Sequence, residues 1–187
     1  MLSWVNHKNF VNLIGYCEEN EPFNRMMVFE YAPNGTLFEH LHVKEMEHLD
    51  WSARMRNIMG IAYCLQYMHH ELNPLVAHSN LNSHNIFLTD DYAAKAAEYL
   101  NDKHSISYLI DPTLKSFKNN ELNLICEIIQ ECIQPDPRQR PTMKDITSKL
   151  REVIAISPDQ ATPRLSPLWW AELEILSSVS LSSSFVL

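Results

Sequence analysis

The sequence predicts an α+β fold on three observations. Two short runs rich in Val, Ile, Phe and Tyr stand near its start, helical stripes of apolar residues fill most of the remainder, and 45% apolar against 20% charged residues suffices for a core. At 187 residues one domain, or one domain with a tail, is expected.

The β-type runs are Phe10 to Tyr16 and Arg25 to Tyr31, separated by the polar stretch Cys17 to Asn24, a pattern that predicts two antiparallel strands joined as a hairpin. Pro33-Asn34-Gly35 breaks the pattern, and Leu37, Phe38 and Leu41 predict one short helix after it. Asp50 is a suitable cap for a long helix from Trp51 to about His70, whose core face carries Ile58, Ile61, Ala62, Leu65 and Met68. Between Asn73 and Lys95 the period changes to short extended pieces, Leu75 to His78 and Asn85 to Leu88, joined by a polar loop of the kind that carries chemistry. Ile125, Ile128, Ile129 and Cys132 mark another helix. Ile146, Leu150, Val153 and Ile154 mark the last, which begins with a Thr142-x-x-Asp145 capping box after Pro141. From Ile156 onward come three prolines, the cluster Leu168-Trp169-Trp170, and a serine-rich end expected to fray.

Composition excludes several functions. Three glycines, Gly15, Gly35 and Gly60, leave no glycine-rich phosphate loop. A net charge of -8 with scattered basic residues gives nucleic acid no electrostatic footprint. Cys17, Cys64, Cys126 and Cys132 lie in apolar surroundings without a CxxC pair, so reduced thiols in a reducing compartment are expected. The first residues lack the features of a signal peptide, and no apolar run approaches the ~18 residues of a membrane span. The chain as written is therefore expected to be cytoplasmic, with no membrane segment of its own.

Three stretches in order resemble the protein-kinase fold as plant receptor-like kinases write it. Val11 to Cys17 followed by Met27 to Leu37 resembles the fourth and fifth strands, the hinge and the short helix beyond. His78-Ser79-Asn80-Leu81-Asn82-Ser83-His84-Asn85-Ile86-Phe87-Leu88 occupies the catalytic-loop position, and Asp136 to Met143 resembles the signature before the last kinase helix. The ending Arg164 to Leu173, with Leu168-Trp169-Trp170, is similar to an inactive branch of leucine-rich-repeat receptor-like kinases named for root-hair morphogenesis. The resemblance implies a longer parent in the plasma membrane, with this region facing the cytosol and acting through protein partners in receptor signalling.

Phosphoryl transfer needs a lysine and metal ions to neutralise phosphate charge, and an aspartate to orient the acceptor hydroxyl. The resemblance places Asn80 at the aspartate position and Asn82 at the lysine position of the loop, so base and local cation are both replaced by neutral amides. Loss of positioned acid-base help alone costs about 10² to 10⁴ in rate. The Gly-rich loop, the lysine strand and the helix bearing its glutamate partner would precede Val5 in the family. Asn85 matches the magnesium-binding asparagine and His78 the loop-holding histidine, but a lone amide binds Mg²⁺ poorly, and both are expected to brace the loop. Glu30 and Ala32 match the hinge positions that meet an adenine ring. Counting from the loop puts Glu98 at the metal-binding acid; counting back from Asp111 puts it in a later helix. A junction near residues 95–102 reconciles the two, at the expense of the activation segment and the central helix. Arg140 would then lose its glutamate partner and turn to solvent, Asp136 or Glu131. The stripes of the Trp51 and Leu124 helices would lose a shared surface at ~25 cal/mol per Å² left wet.

Other candidates give less. His40 and His42 flank Leu41 and diverge on a helix, so with His48, His69 and His70 they make no metal site. Trp169-Trp170 serves as a cover for the helical lobe or as a partner anchor. The expected organisation is a small-lobe remnant and hinge over 1–32, a large-lobe remnant over 33–155, and a partly disordered tail over 156–187. The expected function is that of a non-catalytic pseudokinase needing no cofactor. A weakly active kinase using ATP and Mg²⁺, or an incomplete splice or gene-model product, are the alternatives.

Overall fold

A computed structural model describes residues 7–11, 13–20, 23–78, 81–89 and 111–163. Strands β1 (Leu13–Asn20) and β2 (Phe23–Phe29) form an antiparallel pair with Leu13 opposite Phe29 and Asn20 opposite Phe23, slipping once between Leu13 and Gly15. The hairpin is the one expected, but its ends are not. Pairing runs on through the polar residues taken for a linker, because the ladder uses backbone groups and a two-stranded ribbon has no buried face to impose alternation. Tyr16, Met26 and Met27 are all exposed. Phe10 is not in a strand; it lies in a bend and packs against Cys64 and Met68.

Gly35 turns the chain at φ +66°, where a side chain would meet the Glu39 carboxylate. That carboxylate accepts from the Thr36 amide at 2.6 Å and hydroxyl at 2.8 Å, which fixes the start of α1 (Leu37–His42) and holds the Glu39 carboxyl below its usual range. The buried His40 ring bridges the carbonyls of Asn34 and Glu47, at 2.9 and 2.6 Å, and so closes the loop beyond α1.

Helix α2 (Trp51–His70) has the predicted ends, with the Asp50 carboxylate accepting from the Ala53 amide at 2.7 Å. It is buried on two sides. One side carries Met55, Met59, Ala62 and Tyr63 into a core shared with Ile128 of α3 (Asn119–Cys132), Ile146, Leu150 and Ile154 of α4 (Met143–Ile154), and Ala161 of α5 (Pro158–Ala161). Helix α4 starts at the predicted Thr142 and Asp145 box, and α5 carries the chain past Ile156 back onto α2, where Tyr63 donates to the Ile156 carbonyl at 2.9 Å. The stripes of α2 and α3 thus meet on α4, with Ile58, Leu124, Ile125 and Cys132 partly buried at the rim of this core. Two polar contacts fix the entrance of α2. Trp51 Nε1 donates to the buried Glu121 carboxylate at 2.6 Å, and Arg54 pairs with Asp111 at 2.6 Å.

Arg140 is exposed and donates to the Gln134 carbonyl at 2.8 Å. The two acids expected as alternative partners pair elsewhere, Asp136 with Arg138 and Glu131 with Lys149.

Candidate functional site

The loop expected to carry chemistry is built by short-range hydrogen bonds. Asn82 Oδ1 accepts from the amides of His84 and Asn85 at 3.0 and 3.2 Å, capping a 3-10 turn over Ser83–Asn85. Ile86 and Leu88 then point into a small core with Leu37, Leu49 and Ala53, while Phe87 between them is exposed. This alternation is that of an extended segment with one wet face. The segment is laced to the turn before α1. Leu37 N donates to the Ile86 carbonyl at 2.8 Å, Leu88 N to the Gly35 carbonyl at 2.7 Å, and Asn34 Nδ2 to the Thr89 carbonyl at 2.8 Å. The Phe38 ring stacks on His84 at 4.0 Å between centroids.

Between this loop, α2, the end of β2 and residues 8–11 lies a cavity of about 630 Å³. Glu30, His78 and Asn85 all line it, so the structure brings together three positions scattered over 55 residues of sequence. Ala32 and Asn82 are not among its lining residues, and the work of Asn82 is the cap. His78 lies edge-on to Phe10, with ring centroids 6.2 Å apart. Asn80 and Glu98 lie outside the described residues, as do the junction region 95–102 and Trp169-Trp170.

On the α2 side of the wall, Ile61, Leu65 and Met68 belong to the stripe expected to face the core, whereas Asn57 carries no sequence signal of its own. Asn57, Ile61, Cys64, Leu65 and Met68 recur at helical spacing and face the cavity, and burial pushes the Cys64 thiol up to about 12. Cys126 and the half-buried Cys132 are likewise free thiols raised chiefly by burial. Asn57 is 2% exposed, and neither atom of its carboxamide has a hydrogen-bond partner among the described residues. Only its place in the helix period could have found it, since a single polar residue in an apolar stripe reads as an interruption.

Chemically the cavity is poor in charge. Among the described lining residues Glu30 is the one carboxylate and Lys8 the one lysine or arginine. No group of three metal-ligating side chains occurs among the described residues, and no described helix is long and apolar enough to cross a membrane.

Comparison with known proteins agrees with this geometry. Residues 1–108 match the family model of protein tyrosine and serine/threonine kinases. Protein MALE DISCOVERER 2 of Arabidopsis thaliana is 52% identical over 240 residues, covering 95% of this chain and 35% of the relative. An inactive receptor-like serine/threonine-protein kinase of the same plant is 43% identical over 239 residues, covering 95% of this chain and 48% of the relative. The chain thus spans between a third and a half of the length of these relatives. Among solved structures, the pseudokinase drought responsive inactive kinase 1, crystallised with ENMD-2076, matches with a TM-score of 0.71 at 42% identity, covering 84% of this chain and 73% of that one. A two-stranded sheet with a mainly helical lobe, a catalytic-loop segment laced to the turn before α1, and these matches lead to one conclusion: the chain, similar to inactive receptor-like kinases and pseudokinases, belongs to the protein tyrosine and serine/threonine kinase family.

Proposed function

We propose that this chain is a non-catalytic kinase-like module that regulates signalling by binding and transfers no phosphate. The observation that carries this reading is the chemistry of the loop. At the positions where the family keeps its base and its loop lysine, the sequence has Asn80 and Asn82. A carboxamide has no basic oxygen at neutral pH and takes no proton from an acceptor hydroxyl. Asn82 spends its side chain on two backbone amides. Asn85, with one neutral oxygen, is a loop brace in this reading, and His78 an anchor packed against Phe10. Inactive relatives at 43% identity over 95% of the chain support it.

The module requires neither ATP nor Mg²⁺. Its partners are proteins of a receptor pathway, met on the cytosolic side of the membrane that carries the longer parent. Glu30 and Ala32 are a hinge in form only, and the ENMD-2076 bound to drought responsive inactive kinase 1 supports retention of a ligand-sized space beside such a hinge. A junction near residues 95–102 belongs to the same reading. The 240-residue alignment to MALE DISCOVERER 2 is longer than this chain, so it crosses positions of the relative that have no counterpart here.

Thermal unfolding of the purified chain across millimolar Mg²⁺-ATP tests the nucleotide side of the proposal. The expected result is no saturable rise in melting temperature. A rise that saturates with nucleotide and requires Mg²⁺ would favour the weakly active kinase, since a ligand at 100 times its Kd stabilises by ~2.7 kcal/mol.

A further inference from the structure

The prolines after Ile156 have no part in the kinase reading. Of the ten prolines, none of the seven before Ile156 follows a serine or threonine, whereas the last three follow Ser157, Thr162 and Ser166. A hydroxyl residue followed by proline is the motif that proline-directed protein kinases read, because a ring without an N–H fits a site where any other residue would bring an unpaired donor. Ser166 lies outside the described residues, so the geometry compares Ser157 with Thr162. Both hold the extended backbone that a following proline imposes, at φ -73° and ψ 162° for Ser157 and φ -70° and ψ 128° for Thr162. Their hydroxyls differ. Thr162 is half-buried, and its Oγ1 donates to the Pro158 carbonyl at 2.8 Å. Residues Ser157 to Gln160 are all exposed, and among the described residues Ser157 Oγ only accepts, from the Gln160 amide at 3.3 Å.

We propose that Ser157 is a phosphorylation site of this chain, with a proline-directed serine/threonine kinase as its partner. In the transfer, Ser157 Oγ forms a bond to the γ-phosphorus of ATP held by that partner, as the bond from this phosphorus to the oxygen bridging to the β-phosphorus breaks. ADP leaves, and the hydroxyl proton passes to the partner's base and on to solvent. Such a partner takes its acceptor in an extended backbone, which Ser157 already supplies, and beyond it only the four residues of α5 must uncoil. They are held by the Ser157 and Gln160 capping box and by Ala161, whose carbonyl accepts from Asn9 Nδ2 at 2.8 Å, so the opening is local and leaves α2 and α4 packed together. The phosphate meets a cation there. Burial raises the pKa of Tyr63 and the charge of Arg151 lowers it. That phenol donates to the carbonyl of Ile156, the neighbour of Ser157, so the exposed Arg151 is within reach of the added charge. The inference goes beyond the non-catalytic reading: here the chain is the substrate, and its own loop chemistry plays no part.

The purified full chain is incubated with Mg²⁺-ATP and an active mitogen-activated protein kinase, the probe for this class, and phosphate is mapped site by site by mass spectrometry. The expected result is phosphate on Ser157, gained roughly tenfold faster or more than on Thr162. Pro158→Ala, which keeps the hydroxyl, should slow it roughly tenfold or more. Absence of phosphate from Ser157 overturns the proposal, whether or not Thr162 or Ser166 is modified, and so does a Pro158→Ala chain modified at the parent's rate. Should that variant unfold, as read by circular dichroism, the native chain is offered instead to a kinase that reads basic residues before its acceptor. Modification of Ser157 by that enzyme as fast as by the proline-directed one overturns the proposal; a rate roughly tenfold lower or less upholds it.

Discussion

Asp111 shows how a single carboxylate joins two parts of this molecule. Burial alone would raise its pKa, but the hydroxyl and amide of Thr113 and the Arg54 guanidinium all donate to it, and the net result is a carboxyl at about 2. A depressed carboxyl pKa gives stability that is full above the ordinary value near 3.8 and is lost as pH falls through the folded value. Asp111→Asn should therefore cost about 1–2 kcal/mol at pH 7 in urea unfolding. The gap to the parent should narrow below about pH 4 and disappear only well below pH 2, on the linkage just given. Asn82→Ala removes the acceptor for two loop amides and should cost ~1 kcal/mol, with faster amide exchange at His84 and Asn85. Ala155 ends α4 in the left-handed region at φ 54°, and Ala155→Gly should raise stability by about 0.5–1 kcal/mol. The exposed pairs Arg138–Asp136 and Lys149–Glu131 should contribute little.

At the scale of elements, the two long helices explain what a sequence makes legible. The Asp50 cap and the Thr142 and Asp145 box are local chemistry, carried within four residues, and α2 and α4 begin where these residues say. The hairpin was legible as a pair of strands but not in its limits. Its polar residues from Glu18 to Asn20 pair through backbone groups that side-chain pattern does not report. The candidate site was half legible. Glu30, His78 and Asn85 follow from resemblance, whereas the α2 wall with Asn57 and Cys64 depends on which of two apolar helix sides faces the cavity, and periodicity does not distinguish them when both are buried. The side facing α4 supplies the larger core. Met59, fully buried there, should cost about 2–5 kcal/mol when cut to Ala, read as a lower urea midpoint with unchanged slope.

For the whole molecule, the balance is between a family architecture and the loss of its chemistry. The helical core around α2 and α4 is continuous, the loop from Asn82 to Leu88 is laced to the turn before α1, and the cavity among them is walled largely by apolar side chains. Such a frame holds a binding surface in place without any need to move phosphate. Incubation of the purified full chain with Mg²⁺ and γ-labelled ATP, with a generic acceptor protein present, tests this most directly. The account predicts label no higher than in a protein-free control and unchanged by Asn85→Ala. Time-dependent incorporation into the chain or the acceptor, abolished by Asn85→Ala, would contradict it.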